Sequence, residues 1–154
     1  HPTTALCLEY LSGQNLQGKS LIDYGCGSGI LAIAALKMGA SKVYCVDNDP
    51  QALQATLDNA ERNSIDTKQI VVLSPADVPH LRVDILVANI LAGPLGDLAE
   101  QFSYLLKHNG LLTLSGILRE QAEALNAHYE KWFVMESITD KDGWIRLDGH
   151  KAEA

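Results

Sequence analysis

Short apolar runs alternate along the chain with stretches of helical periodicity, the form expected of a parallel sheet with crossover helices. Ser20 to Tyr24 predicts a first strand and Lys42 to Val46 a second, and Ile70 to Leu73, Val83 to Ala88 and Leu111 to Ser115 continue the series. Helices are predicted between them. Pro2-Thr3-Thr4 reads as a helix start. Asp49 can cap a helix that opens with Pro50, where a missing N–H costs nothing, and Leu53, Leu57 and Ala60 recur on its apolar face. Another helix is predicted from Pro94, with Leu95, Leu98, Ala99, Phe102, Leu105 and Leu106 forming one buried stripe. After a helix over Glu120 to Tyr129 the order changes. Phe133 to Thr139 and Trp144 to Asp148 are strand-like and are joined only by Asp140-Lys141-Asp142-Gly143. That link is too short for a crossover, so the last two strands must pair antiparallel as a hairpin.

Composition narrows the class. The 154 residues, 47% of them hydrophobic, suit one domain with a single layer of sheet between helices. No apolar run approaches the ~18 residues of a membrane span and no secretory leader is present, so a soluble cytoplasmic protein is expected. Because the chain opens with His1 rather than methionine, directly on a helix start, a piece of a longer chain is expected. The net charge of -7 would repel a phosphate backbone and favours a protein or small-molecule acceptor over nucleic acid. Cys7, Cys26 and Cys45 contain no CxxC pair and fall in segments that read as helix, loop and strand. They are expected to be reduced thiols, and with histidines that lack HxxxH spacing no metal site is expected.

The candidate chemistry gathers at the ends of three strands. Gly25-Cys26-Gly27-Ser28-Gly29 leaves the first strand and leads into the helical run Ile30 to Leu36. Glycines there permit a sharp turn and close approach to a ligand, and the helix N-terminus offers free N–H groups. A loop of this kind could also be only a tight turn. Asp47, at the end of the second strand and about 20 residues beyond the loop, is placed to accept hydrogen bonds from ribose hydroxyls. The loop reads GxGxG, with Ile30 where a dinucleotide fingerprint wants glycine, which disfavours a nicotinamide or flavin enzyme. At the end of the fourth strand, Ala88-Asn89-Ile90-Leu91-Ala92-Gly93-Pro94 sets an amide among apolar residues on the edge where open α/β sheets bind ligands. The Asn89 carbonyl oxygen could accept a hydrogen bond from an amine.

With these segments in view the chain resembles the class I S-adenosylmethionine methyltransferases and, more narrowly, the catalytic domain of the PrmA family, the methyltransferases of ribosomal protein L11. The segments that carry the resemblance are His1 to Thr4, Asp23 to Leu36, Asp58 to Asn63, Ala88 to Leu95 and Leu114 to Leu118. The glycine loop alone indicates only the superfamily; Asn-Ile-Leu-Ala-Gly-Pro-Leu and the opening His-Pro-Thr-Thr indicate the narrower family. The resemblance implies a Rossmann-like seven-stranded open sheet, mostly parallel, with an antiparallel C-terminal hairpin and helices on both faces. It implies S-adenosylmethionine as cofactor and Thr4, Gly25, Asp47 and Asn89 as its contacts, with Gly27 of the same loop counted beside them. Thr4 would close over the methionine part, Gly25 pack its backbone against the cofactor, Asp47 hold the ribose, and Asn89 sit beside the methyl group and acceptor amine as the catalytic position.

The function so implied is methylation of amino groups, lysine or N-terminal, of ribosomal protein L11, in the cytoplasm, with neither nucleic acid nor membrane as partner. Residues 1 to 154 would be the catalytic domain, without the N-terminal domain by which family members recognise their substrate. Related enzymes acting on planar amines carry an aromatic residue in an Asn-Pro-Pro-Tyr segment, and Ile90-Leu91-Ala92 stand in its place here. That shape suits a tetrahedral amine. Two alternatives are a nucleic-acid base methyltransferase and a cofactor-binding module without catalysis.

Overall fold

The computed structural model describes residues 1–152. Seven strands form one sheet in the order β3-β2-β1-β4-β5-β7-β6. They are β1 (Ser20–Tyr24), β2 (Lys42–Val46), β3 (Ile70–Leu73), β4 (Val83–Asn89), β5 (Leu106–Leu118), β6 (Phe133–Lys141) and β7 (Trp144–Lys151). The first five run parallel, and β7 enters antiparallel between β5 and β6. The Rossmann-like arrangement implied by the sequence, with its terminal hairpin, is the one present.

Among the described residues five α-helices cover the sheet: α1 (Pro2–Ser12), α2 (Ile30–Lys37), α3 (Pro50–Arg62), α4 (Ala92–Leu105) and α5 (Arg119–Tyr129). Because successive strand residues face opposite sides, the central strands feed two cores. Leu21, Val43, Ile85 and Val87 join Leu31, Ala32 and Ala35 of α2 and Leu11 of α1 on one face. Ile22, Leu86, Leu112 and Leu114 join Leu95, Phe102, Leu125 and Tyr129 of α4 and α5 on the other.

Helix starts follow the local chemistry. The Asp49 side chain accepts the Gln51 N–H at 2.9 Å with Pro50 in the first turn of α3, and His1 caps α1 through the Thr3 N–H. Several details differ from the sequence reading, among them the extension of β6 to Lys141 and of β7 to Lys151. Helix α4 starts at Ala92, so Pro94 lies inside its first turn, where its missing N–H has no intrahelical partner to lose. Leu106 is the first residue of β5, paired with Val83, and a register shift between Val83 and Ile85 lets the strand take in the polar stretch after it. Leu57, expected on the buried face of α3, is 40% exposed, and Thr56 and Ala60 hold the buried positions.

A charge pair on β7 is tied to several elements of the fold. Arg146 and Asp148 form a shielded ion pair at 2.9 Å, and Asp148 also accepts hydrogen bonds from Thr113 and Ser137. Arg146 reaches over to the Leu6 carbonyl of α1 at 2.8 Å and lies over the Tyr10 ring. This pins α1 across β5 and β7, so that its first turn meets the strand ends.

Candidate functional site

The carboxyl ends of β1, β2 and β4 surround a cavity of about 470 Å³ lined by Tyr24, Gly25, Val46, Asp47, Asn48, Pro75, Ile90, Leu91, Pro94 and Leu98. Topology places it there. Strand order reverses at β1, whose crossovers leave toward β2 on one side while β4 lies on the other, and such a switch point opens a crevice between loops.

The glycine loop forms one wall. Gly25, Gly27 and Gly29 all adopt positive φ (80°, 55° and 83°), which lets the chain leave β1 and enter α2 within five residues. At Gly25 there is a second reason for glycine, since a Cβ would collide with Cγ2 of Ile90. The loop is fastened from three sides. Gly25 and Cys26 donate backbone N–H groups to Val46, Gly27 donates to the Asp47 carboxylate at 3.0 Å, and the Thr56 hydroxyl donates to the Gly27 carbonyl at 3.0 Å.

Asp47 uses one oxygen for Gly27 and the other for the Asp49 N–H, each near 3.0 Å. Each carboxylate oxygen carries two lone pairs, so acceptor capacity remains for a ligand in the cavity that Asp47 borders. Asn89 is the last residue of β4, paired with Ser115 of β5, and its half-buried side chain stands next to the Ile90 wall without lining the cavity itself. Thr4 lies half-buried in the first turn of α1 and is not part of the lining. Its neighbour Thr3 accepts the Ser115 hydroxyl through its carbonyl at 3.3 Å, which ties that turn to the strand position opposite Asn89. Of the residues expected from sequence, Gly25 and Asp47 therefore line the cavity, Gly27 braces Asp47, Asn89 adjoins the lining residue Ile90, and Thr4 is not brought into the lining.

Beneath this edge lies Asp23, a residue the site reading from sequence left out. It is wholly buried on β1, faces the Ala32 backbone of α2, and neither carboxylate oxygen has a hydrogen-bond partner in bonding geometry among the described residues. Burial, with a further push from the Asp47 charge, raises its pKa to about 7. Thr56 was also missed, because a single threonine in an otherwise ordinary helix carries no pattern. The lining residues Tyr24, Val46, Asn48, Pro75 and Leu98 become legible only once the strand ends are assembled.

The family model for ribosomal protein L11 methyltransferase (PrmA) matches residues 1–152. The chain belongs to that family. A ribosomal protein L11 methyltransferase of Azotobacter vinelandii is 58% identical over 149 residues, covering 97% of this chain and 51% of the relative. One of Pseudomonas aeruginosa is 54% identical over 151 residues, covering 98% and 51%. The chain thus spans about half the length of the curated relatives it matches. Among solved structures, a ribosomal protein L11 methylase from Lactobacillus delbrueckii subsp. bulgaricus superposes with a TM-score of 0.92 at 32% identity, over 99% of this chain and 80% of that one. No described helix is long and apolar enough to cross a membrane.

Proposed function

We propose that the chain is the catalytic domain of an S-adenosylmethionine-dependent protein N-methyltransferase whose acceptor is an amino group of ribosomal protein L11, lysine or N-terminal, met in the cytoplasm. The observation that carries this reading is the meeting of Gly25, Asp47 and Ile90 around one cavity in a chain of this family. The residues fit the cofactor. Gly25 borders the cavity with backbone alone, and Asp47 keeps free lone pairs at the end of β2, where a ribose would lie. Gly27 holds Asp47 in place from behind, and Thr4 would close the margin from α1.

The cofactor supplies a methyl group activated on a positive sulfur. The chain has then to align an amine with it and keep water out. Ile90, Leu91, Pro94 and Leu98 give the acceptor side an apolar wall suited to both tasks. At pH 7 a lysine with a pKa near ~10.4 must give up about 4 to 5 kcal/mol to be neutral, and an apolar wall lowers that cost because desolvation disfavours the ammonium. Asn89 would orient the amine through its amide oxygen. It is no base, and no general base is assigned.

The net charge of -7 supports a protein acceptor over a nucleic acid, whose phosphates it would repel. Recognition of the folded acceptor would draw on the part of the relatives' length that this chain does not span. Calorimetric titration with S-adenosylhomocysteine tests the cofactor assignment, with binding expected and NAD inert. NAD binding without a response to S-adenosylhomocysteine would overturn it.

A further inference from the structure

Cys26 and Cys45 stand together under the glycine loop. Cys45 lies on β2 opposite Asp23 of β1, and Cys26 is the second residue of the loop that leaves β1. The Cys26 N–H donates to the Val46 carbonyl at 3.1 Å, which holds the two backbones together one residue away from Cys45. Both side chains enter the same apolar cluster, Cys45 fully buried and Cys26 with 7% of its surface at the loop edge. The Cys45 thiol is close enough to act on the Cys26 sulfur electrostatically, and Thr56 Oγ1 lies 3.5 Å from that sulfur. The third cysteine, Cys7, is engaged elsewhere, with Ser115 as its hydrogen-bond partner.

We propose that Cys26 and Cys45 form a reversible intramolecular disulfide when the protein meets a peroxide, and that this bond disables the cofactor cavity by displacing the glycine loop. The second half rests on the reading of that cavity given above. Hydrogen bonding by the Cys45 thiol lowers the pKa of Cys26 against the opposing push of burial and of the Asp23 and Asp47 carboxylates. Its role as that donor, together with burial, raises Cys45. The thiolate therefore forms at Cys26, the sulfur nearer solvent. It attacks one peroxide oxygen, forming an S–O bond as the O–O bond breaks, and the departing hydroxide takes a proton and leaves as water. The Cys45 sulfur then attacks the sulfenic sulfur of Cys26, the S–S bond forms, the S–O bond breaks, and a second water departs with the Cys45 proton. Two thiols are oxidised by two electrons and one peroxide is reduced to two waters.

The Cys26 N–H bond to the Val46 carbonyl keeps the loop against β2, so closing a disulfide onto Cys45 moves the loop and not the strand. Drawing the Cys26 sulfur onto Cys45 withdraws it from Thr56, whose hydroxyl also holds the Gly27 carbonyl, while Gly27 in turn holds Asp47. The loop and the proposed ribose acceptor are thus moved by one bond.

The test treats the reduced protein with hydrogen peroxide, blocks remaining thiols with N-ethylmaleimide, and maps peptides by mass spectrometry beside calorimetry with S-adenosylhomocysteine. Loss of two hydrogens, a peptide linking Cys26 to Cys45, unlinked Cys7, and affinity about tenfold or more weaker that dithiothreitol restores are expected; tenfold is the scale of one lost charge-assisted hydrogen bond. In Cys45→Ala the same treatment should leave a Cys26 sulfenic acid that dimedone captures. Linkage through Cys7, oxygen addition without linkage, or unchanged affinity in the cross-linked protein overturns the proposal. If the reduced protein fails to bind S-adenosylhomocysteine, the cavity reading and the cofactor half of the proposal fall together, and the linkage map still decides the redox half.

Discussion

The Gly27 backbone N–H donates to the Asp47 carboxylate at 3.0 Å, so the middle of the glycine loop is latched to the end of the neighbouring strand. The two features that sequence spacing singled out separately are one device. Asp47→Ala should remove both the latch and the proposed ribose contact, lowering affinity for S-adenosylhomocysteine about tenfold to a hundredfold in calorimetry. Asp47→Asn, which keeps an acceptor oxygen, should lose less. Equal affinity in Asp47→Ala and the parent would remove Asp47 from the binding site.

Gly25 answers to conformation and to space together. Alanine there must adopt φ near +80° and drive its methyl group into Ile90 Cγ2. Left-handed backbone and overpacking combine to an expected loss of about 2 to 5 kcal/mol in urea unfolding. Adding Ile90→Ala should recover the steric part and leave the backbone part, so the double variant should lie between Gly25→Ala and the parent. A double variant no better than Gly25→Ala would show that Ile90 is not what the methyl group meets.

The coupling of these residues is not legible in spacing along the chain. The strands β1, β2 and β3 are read correctly to the residue because each is an apolar run bounded by turn residues. Strand β5 is not, since Lys107, His108 and Asn109 are exposed and look like a loop, although pairing with β4 extends back to Leu106. Helical periodicity assigned Leu57 to the core because period alone cannot say which face the neighbours cover. The buried place belongs to Thr56, whose hydroxyl serves a loop 29 residues away. The glycine loop, Asp47 and Asn89 were visible as motif and spacing. The lining around them depends on which strand ends the topology brings together.

Asp23 supplies a dependence on pH with a definite sign. Its folded-state pKa of about 7 lies above its usual 3.8, so the folded protein holds a proton that the unfolded chain gives up between those values. Stability contributed by that proton is complete below about pH 4 and is lost as pH rises toward 7. The full difference is about 4 kcal/mol. Asp23→Asn cannot ionise, so its stability relative to the parent should climb across that window and level off above it. Parallel stability curves for the two proteins from pH 4 to 8 would show that Asp23 titrates normally.

The pair formed by Arg146 and Asp148 is shielded on both sides, with side-chain exposures of 12% and 11%. Removing one partner leaves the other charged, buried and unpaired, which typically costs about 3 to 5 kcal/mol. Asp148→Ala should therefore destabilise the protein by that order in urea unfolding. Arg146→Met combined with Asp148→Leu should cost less than Asp148→Ala. Because Arg146 also holds the Leu6 carbonyl, the double variant should show faster amide exchange in α1 than in α5. Uniform exchange in both helices would deny Arg146 its role in seating α1.

Asn89 separates binding from turnover. It sits where β4 ends, beside Ile90 and opposite Ser115, and is not part of the cavity lining. A residue so placed can reach an acceptor that enters past Leu91 while contributing little to holding the cofactor. Asn89→Ala should then reduce kcat on the proposed acceptor, ribosomal protein L11, by about a hundredfold while changing S-adenosylhomocysteine affinity by less than about threefold; a hundredfold corresponds to about 3 kcal/mol of transition-state stabilisation, the scale of one oriented hydrogen bond in a water-poor site. Asn89→Asp supplies a control of similar shape. Its negative charge would hold the amine as ammonium, so its kcat should be low at neutral pH and rise with pH more steeply than the parent's. Equal losses of affinity and turnover in Asn89→Ala would reduce Asn89 to a cofactor contact, and unchanged turnover would remove it from the site.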